Sequence, residues 1–203
     1  MEIGFAMTGS FCTYSQVFPV LKTLADQYNM IPIFSRTAST TSSRFGTSEE
    51  FLKEVQAICG RKPISTLEEA EPIGPKKLLD ALIIAPCTGN TLAKLSCSIA
   101  DGPVTMAAKS HLRNGRPVLL AISTNDALAG AAENIGRLLG RKHYYFVPFR
   151  QDNAYLKPTS LVADFTRIPA ALQEMLEGKQ IQPLLLASPQ EKVLLESSNI
   201  NNC

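Results

Sequence analysis

No apolar run in this 203-residue sequence approaches the length of a membrane span. The amino terminus, MEIGFAMTGSFC, also lacks the basic region and apolar length of a secretory signal. The expectation is a cytoplasmic protein that meets no membrane. The five cysteines, Cys12, Cys59, Cys87, Cys97 and Cys203, are odd in number, well separated and without a Cys-x-x-Cys pair. That argues against a disulfide framework or a zinc site and for a reducing compartment, with no metal expected. Excess charge is scarce too: 20 Lys plus Arg stand against 18 Asp plus Glu, a net +2, and the basic residues are scattered. Nucleic acid is therefore not the expected partner. Neither a GxGxxG nor a Walker sequence occurs, so an ordinary dinucleotide fingerprint or a P-loop site is unsupported. The sequence has no internal repeat.

What is present is an even mixture, 45% hydrophobic and 19% charged, suited to one compact domain. Glu2 to Met7 is a short apolar run closing on Thr8-Gly9-Ser10. A helical pattern from about Tyr14 to Tyr28 follows, with Val17, Val20, Leu21 and Leu24 on one face. Met30 to Phe34 is a second strand pattern, ending in the hydroxyl-rich Ser35 to Ser43, and a helix is expected from Ser48 to Ile58. Cys59 to Lys77 is Pro- and Gly-rich and reads as a short strand or turn with an exposed excursion.

Leu79 to Ala85, apolar but for Asp80, and the fully apolar Pro117 to Ile122 are runs of strand length, suited to strands covered on both faces. Pro86-Cys87-Thr88-Gly89-Asn90-Thr91 breaks the first, before helices from Thr91 to about Ile99 and around Val104 to Leu112. Ser123-Thr124-Asn125 ends the second, before a helix from about Asp126 to Leu139. Tyr144 to Pro148 is expected as the last strand and Ile168 to Leu176 as the last helix. Strands alternating with helices predict an α/β protein, a three-layer doubly wound parallel sheet of Rossmann-like kind. The domain spans 1–180, and 181–203 reads as either a docking arm or a frayed tail.

In such a sheet, ligands sit outside the carboxyl ends of the strands, where helix amino termini converge. The hydroxyl-rich loops fall at these ends. Each by itself is explained by helix capping and turn chemistry. Four at equivalent ends favour a phosphate-bearing ligand, with Gly9 and Gly89 allowing close backbone approach.

Two segments carry a family likeness. AMTGSFC after the first strand and IIAPCTGNTLAKLSCSIADGPVTMAAKSHL in the middle resemble the flavoprotein family of homo-oligomeric, FMN-containing cysteine decarboxylases and prenyltransferases. The family's central Pro-x-Ser-Ala-Asn-Thr pattern is matched from Pro86 through Thr88 and Gly89 to Asn90 and Thr91. The resemblance implies phosphate contacts at Gly9, Ser10 and Ser35 or Thr37, and flavin contacts at Thr88, Asn90 and Thr91. Ser123, Thr124 and Asn125 would lie beside the ring, and FMN would sit at subunit interfaces of a homo-oligomer.

The departures matter as well. The decarboxylases use an earlier His, whereas this chain has only His111 and His143. Their Pro-x-Met-Asn-x-x-Met-Trp pattern survives here only as Asn125, and the chain has no Trp. Cysteine decarboxylation is therefore not expected, and no catalytic residue is assigned.

A narrower likeness is to the dipicolinate synthase branch of the family, through APCTGNTLAKL, PVTMAAKSHLRNGRPVLLAISTNDAL and YYFVPFRQDNAYLKP. It implies a separate A chain resembling an NAD(P)-binding dehydrogenase (NAD or NADP on that partner) and oxidation of dihydrodipicolinate to dipicolinate in the mother cell of a sporulating bacterium. A non-catalytic partner subunit and a stand-alone FMN decarboxylase or prenyltransferase stay open beside it.

Among single residues, Cys87 in the presumed loop reads as packing before catalysis. His111 near a helix end reads as a cap or a solvated side chain, and His143 as solvent-facing. Arg36 and Arg44 flank the second hydroxyl cluster and can neutralise phosphate or serve as surface charge. Arg150, Gln151, Asn153 and Lys157 follow the last expected strand. They offer paired charge-assisted bonds to a small dicarboxylate, or equally a solvated loop or an oligomer contact.

Overall fold

The computed structural model describes residues 1–187. Of the tail expected over 181–203, residues 188–203 lie outside the described residues. The strands are β1 (Glu2–Met7), β2 (Asn29–Phe34), β3 (Ala81–Cys87), β4 (Val118–Thr124), β5 (Tyr144–Phe146), β6 (Phe149–Asn153) and β7 (Lys157–Ala163). The helices are α1 (Tyr14–Ala25), α2 (Arg36–Thr40), α3 (Ser48–Cys59), α4 (Leu67–Ala70), α5 (Gly89–Ser96), α6 (Pro103–Leu112), α7 (Ala132–Leu139) and α8 (Ile168–Leu176).

Five strands form the parallel sheet in the order β2-β1-β3-β4-β5, with β1 lying between β2 and β3. The chain therefore first moves outward from β1 to β2 and then reverses to β3, which makes β1/β3 the topological switch point. Right-handed crossovers put α1 on one face and α5 to α7 on the other. The contacts agree: α1 packs on α8, and α5 packs on α6 and α7. All seven residues of β3 and the first six of β4 are buried, as strands covered on both faces require. Each fully buried Leu or Ile there contributes about 1.5–3 kcal/mol of apolar burial.

The far edge of β4 is shared. Its first half pairs β5 in parallel, through Val118, Leu119 and Leu120, while Ser123 and Thr124 pair antiparallel with β7. The β6–β7 hairpin is the main departure from expectation, since Tyr144 to Pro148 is not the last strand. Its segment RQDNAYLKPTS is polar because it faces solvent and a cleft, so no apolar alternation announces it. Asn153 closes the turn by accepting from the N–H groups of Tyr155 and Leu156 at 3.1 and 2.9 Å. Beyond the expected domain end at 180, the Leu184 carbonyl accepts from the Phe149 N–H at 3.0 Å, and the Leu186 N–H donates to the Phe149 carbonyl at 2.9 Å.

Three smaller corrections concern helices and breaks. The segment from Ser35 to Ser43 is not all loop, because Ser35 caps the short α2 by accepting from the Ala38 N–H at 3.2 Å. The helix expected from Asp126 begins only at Ala132, after turns in which the Asp126 carbonyl accepts from the N–H groups of Ala129 and Ala131. Pro86 and Cys87 do not break β3 but complete it, with a cis Ala85–Pro86 bond.

Candidate functional site

Two clefts open at the carboxyl edge of the sheet. The first, of about 350 Å³, lies over the β1/β3 switch point. Gly9, Ser35, Thr37, Thr88, Asn90 and Thr91 line it together with Thr8, Arg36, Lys94 and Asp101. The second, of about 790 Å³, is lined by Ser10, Ser123, Thr124 and Asn125 and by the β6–β7 hairpin, and shares Gly9 and Thr88 with the first. A larger cleft of about 910 Å³ lies under Phe11, Phe18 and Phe51. Its lining comes mostly from the flanks of α1 and α3, away from the converging strand-end loops.

The loops are held together by Thr8, a buried residue that nothing in its sequence neighbourhood singles out from Ser10. Its hydroxyl donates to the Pro86 carbonyl at 2.7 Å and accepts from the Thr88 N–H at 3.2 Å. Its own carbonyl accepts from the Tyr14 hydroxyl at 2.9 Å. One hydroxyl thus ties the end of β1 to the end of β3. Burial pushes the Tyr14 hydroxyl well above the usual phenol range, so it stays a donor.

The capping expectation and the ligand expectation are realised by the same atoms. Thr88 caps α5, its hydroxyl accepting from the Thr91 N–H at 3.4 Å and lying 3.1 Å from the Thr91 hydroxyl. The first-turn N–H groups of α2 and α5 have no intrahelical acceptor. A Cβ on Gly9 would stand 3.0 Å from Thr37 Cγ2, so the first loop approaches the second closely and a side chain there would have to push Thr37 slightly aside.

Two expected residues do not line either cleft. Pro86 is buried in β3 and contributes its carbonyl to Thr8. Gly89 is pressed from the side: a Cβ there would stand 2.7 Å from Thr124 Oγ1 and 2.8 Å from Asp126 Oδ1. Its small size accommodates the neighbouring loop.

The charge of the first cleft comes from three residues. Lys94 donates to both Asp101 oxygens at 2.9 Å, and that hydrogen bond holds the Asp101 carboxyl below its usual range. With the pair neutral, Arg36 leaves one net positive charge beside the hydroxyls. In the sequence, Lys94 and Asp101 stand out only as part of the family likeness; their meeting depends on α5 ending before Asp101.

Other expectations change. Cys87 is fully buried in β3 rather than in the loop, and burial pushes its thiol up. It is a packing residue. His111 is neither a cap nor solvated: it is 1% exposed, with Nε2 3.0 Å from the Pro117 carbonyl. His143 is half-buried, in a left-handed backbone conformation at φ 70°. Arg150 and Lys157 reach the second cleft, whereas Gln151 donates to the Pro158 carbonyl and Asn153 closes the hairpin turn. Among the described residues no group of three or more His, Cys, Asp or Glu is placed to hold a metal ion. No described helix is long and apolar enough to cross a membrane.

A 2-1-3-4-5 parallel sheet with hydroxyl-lined clefts at its switch point defines the class of protein. The Flavoprotein family model matches residues 1–150, and the chain belongs to that family. It is 42% identical over 190 residues to the B subunit of dipicolinate synthase from Bacillus subtilis (strain 168), covering 93% of this chain and 95% of that one. The crystal structure of the corresponding dipicolinate synthase B subunit from Bacillus halodurans superposes with a TM-score of 0.84 at 42% identity, over 92% of this chain and 96% of that one. A dodecameric FMN-dependent UbiX-like decarboxylase from Escherichia coli shares the fold, with a TM-score of 0.56 at 24% identity over 73% and 80% of the two chains.

Proposed function

We propose that this chain is the flavoprotein subunit of a dipicolinate synthase. It would hold FMN in the switch-point cleft and, with a dipicolinate synthase A chain carrying NAD or NADP, support oxidation of dihydrodipicolinate to dipicolinate in the cytoplasm of a sporulating mother cell. The observation that carries the reading is the convergence of Gly9, Ser35, Thr37, Thr88, Asn90 and Thr91 on one cleft with a net positive charge. The 42% identity to a dipicolinate synthase subunit along nearly the whole chain supports the reaction.

The residues fit a phosphate-bearing flavin. Ser35, Thr37, Thr88 and Thr91 supply hydroxyl donors, the first turns of α2 and α5 supply N–H groups, and Arg36 supplies the countercharge. FMN, when bound, supplies the two-electron chemistry. The chain's own part is to orient the ligand through loops that Thr8 locks together and to keep the Asp101 carboxylate neutralised by Lys94. Ser10, Ser123 and Asn125, in the adjoining cleft, would face the ring side. The dodecameric relative supports a homo-oligomer as the working form, with some of these hydroxyls turned toward a neighbouring copy.

The test is a visible absorption spectrum and FMN titration of the purified chain and of an Asn90→Ala, Thr91→Ala double variant. A yellow, saturable complex weakened by the double change supports the flavin site. Activity only on mixing with an A chain supports the subunit role, whereas activity of this chain alone supports a stand-alone FMN enzyme. A folded, oligomeric chain that binds no FMN refutes the flavin reading and favours a partner subunit without cofactor.

A further inference from the structure

The second cleft has a floor set by strand register. Ser123 of β4 pairs with Val162 of β7, and Val162 pairs with Arg150 of β6. Residues in register across neighbouring strands point to the same face. A hydroxyl, an isopropyl group and a guanidinium therefore stand in one row, about 10 Å from end to end at the usual spacing between strands. All three line the cleft.

Both ends of the row are preorganised. At the hydroxyl end, Ser123 Oγ lies 2.7 Å from Ser10 Oγ. The Asn125 carboxamide oxygen accepts from the buried Ser160 hydroxyl at 3.3 Å, which leaves the Asn125 amide N–H groups to donate. At the other end, Arg150 Nη1 lies 3.5 Å from Asp164 Oδ2. Asp164 is itself fixed: Oδ1 accepts from the Thr166 N–H at 3.2 Å and its hydroxyl at 2.5 Å, and Oδ2 lies 3.7 Å from Arg167 Nε. One side of the Arg150 fork is thus oriented by a carboxylate that a second arginine also neutralises. The remaining N–H donors of Arg150 have no partner among the described residues. Lys157, also in the cleft, is occupied by Asp152 at 2.7 Å. Arg150 is therefore the cation left to take an incoming anion.

We propose that this row is the substrate subsite. A small planar carboxylate lies with its ring over Val162, one carboxylate on the free donors of Arg150, and its far end toward Ser10 and Ser123. Asp164 is the positioning residue for Arg150. The choice of a ring dicarboxylate rests on the proposed dipicolinate synthase function, which this subsite extends by naming the residue that selects the second charge. Guanidinium is suited to this because its planar fork matches a carboxylate with two parallel bonds, which an ammonium cannot do.

The test is calorimetric titration of the purified chain, with and without FMN, using pyridine-2,6-dicarboxylate, pyridine-2-carboxylate and uncharged pyridine-2,6-dimethanol as probes. The wild type is expected to prefer the dianion. Arg150→Gln is expected to lose about tenfold to a hundredfold of dianion affinity, the equivalent of one charge-assisted pair, with its preference over the monoanion collapsing. Arg150→Lys should recover part of the loss, a pattern that mere misfolding does not produce. FMN affinity, read separately, should be the same in all three chains. Wild-type chain that does not bind the dianion at millimolar concentration overturns the proposal, as does an Arg150→Gln chain that binds it unchanged. Failure to bind FMN with the dianion preference intact overturns the flavin reading alone and leaves the assignment of Arg150 standing.

Discussion

His111 gives this protein a stability that depends on acidity in a calculable window. It lies near the end of α6, 1% exposed, with Nε2 donating to the Pro117 carbonyl at 3.0 Å. Burial, the largest cause, pushes its pKa down to about 4 from the ordinary 6.5; the Arg116 charge adds to this, while the Pro117 bond and Asp80 oppose it. The unfolded chain takes up a proton at about 6.5 and the folded chain resists until about 4. Stability is thus fully present above the unfolded value and is lost as pH falls toward the folded one. At about 1.4 kcal/mol per unit, the loss reaches roughly 2 kcal/mol by pH 5 and about 3 kcal/mol in full. Urea unfolding at pH 7.5, 6, 5 and 4.5 measures it. His111→Gln keeps an amide that can reach Pro117 but does not titrate. It should be less stable at neutral pH and flatter between pH 7 and 5. The carboxyls of Glu49, Glu50, Glu69 and Asp101, held below their usual range by their partners, titrate in both proteins and cancel in the comparison. Equal losses in the two proteins between pH 7 and 5 would refute the reasoning.

Thr8→Val keeps the shape of Thr8 but leaves the Pro86 carbonyl and the Thr88 N–H without their partner. It should cost about 1–3 kcal/mol in chemical denaturation, and it should also weaken FMN by loosening the Thr88 loop; an unchanged unfolding midpoint contradicts the hub role. Thiol labelling of the native chain should modify the exposed Cys12 and Cys97 readily and Cys59 slowly, because burial pushes the Cys59 thiol up to about 11. Cys87 should react only on unfolding; rapid native labelling there would reopen a catalytic role. Gly89→Ala should disturb the Thr124–Asp126 contact, with a modest stability loss of about 1 kcal/mol. A chain as stable as the wild type would show that those two side chains simply move aside.

Local chemistry made most elements legible. The apolar runs Ala81 to Cys87 in β3 and Val118 to Ile122 in β4 announce doubly covered strands, because a sheet with helices on both faces buries the side chains of both its faces. The hydroxyls at strand ends announce caps and, at equivalent ends, a ligand edge. The hairpin of β6 and β7 was not legible, since polar strands that face solvent and a cleft carry no period of two in hydrophobicity. The burial of His111 was hidden for a related reason: one polar residue near a helix end looks the same whether water or the Pro117 carbonyl receives it.

The sequence by itself therefore determined the class of sheet, the alternation of strands and helices as far as β5, and which loops carry donors. All of these follow from short-range periodicity and turn chemistry. Only the tertiary structure decided which loops meet. The reversal at β1/β3 brings Gly9, Ser35, Thr37, Thr88, Asn90 and Thr91 around one cleft. The register of three strands sets Ser123, Val162 and Arg150 in a row. Both depend on pairings between residues far apart in the chain, whose geometry is set by the packed sheet rather than by the residues on either side.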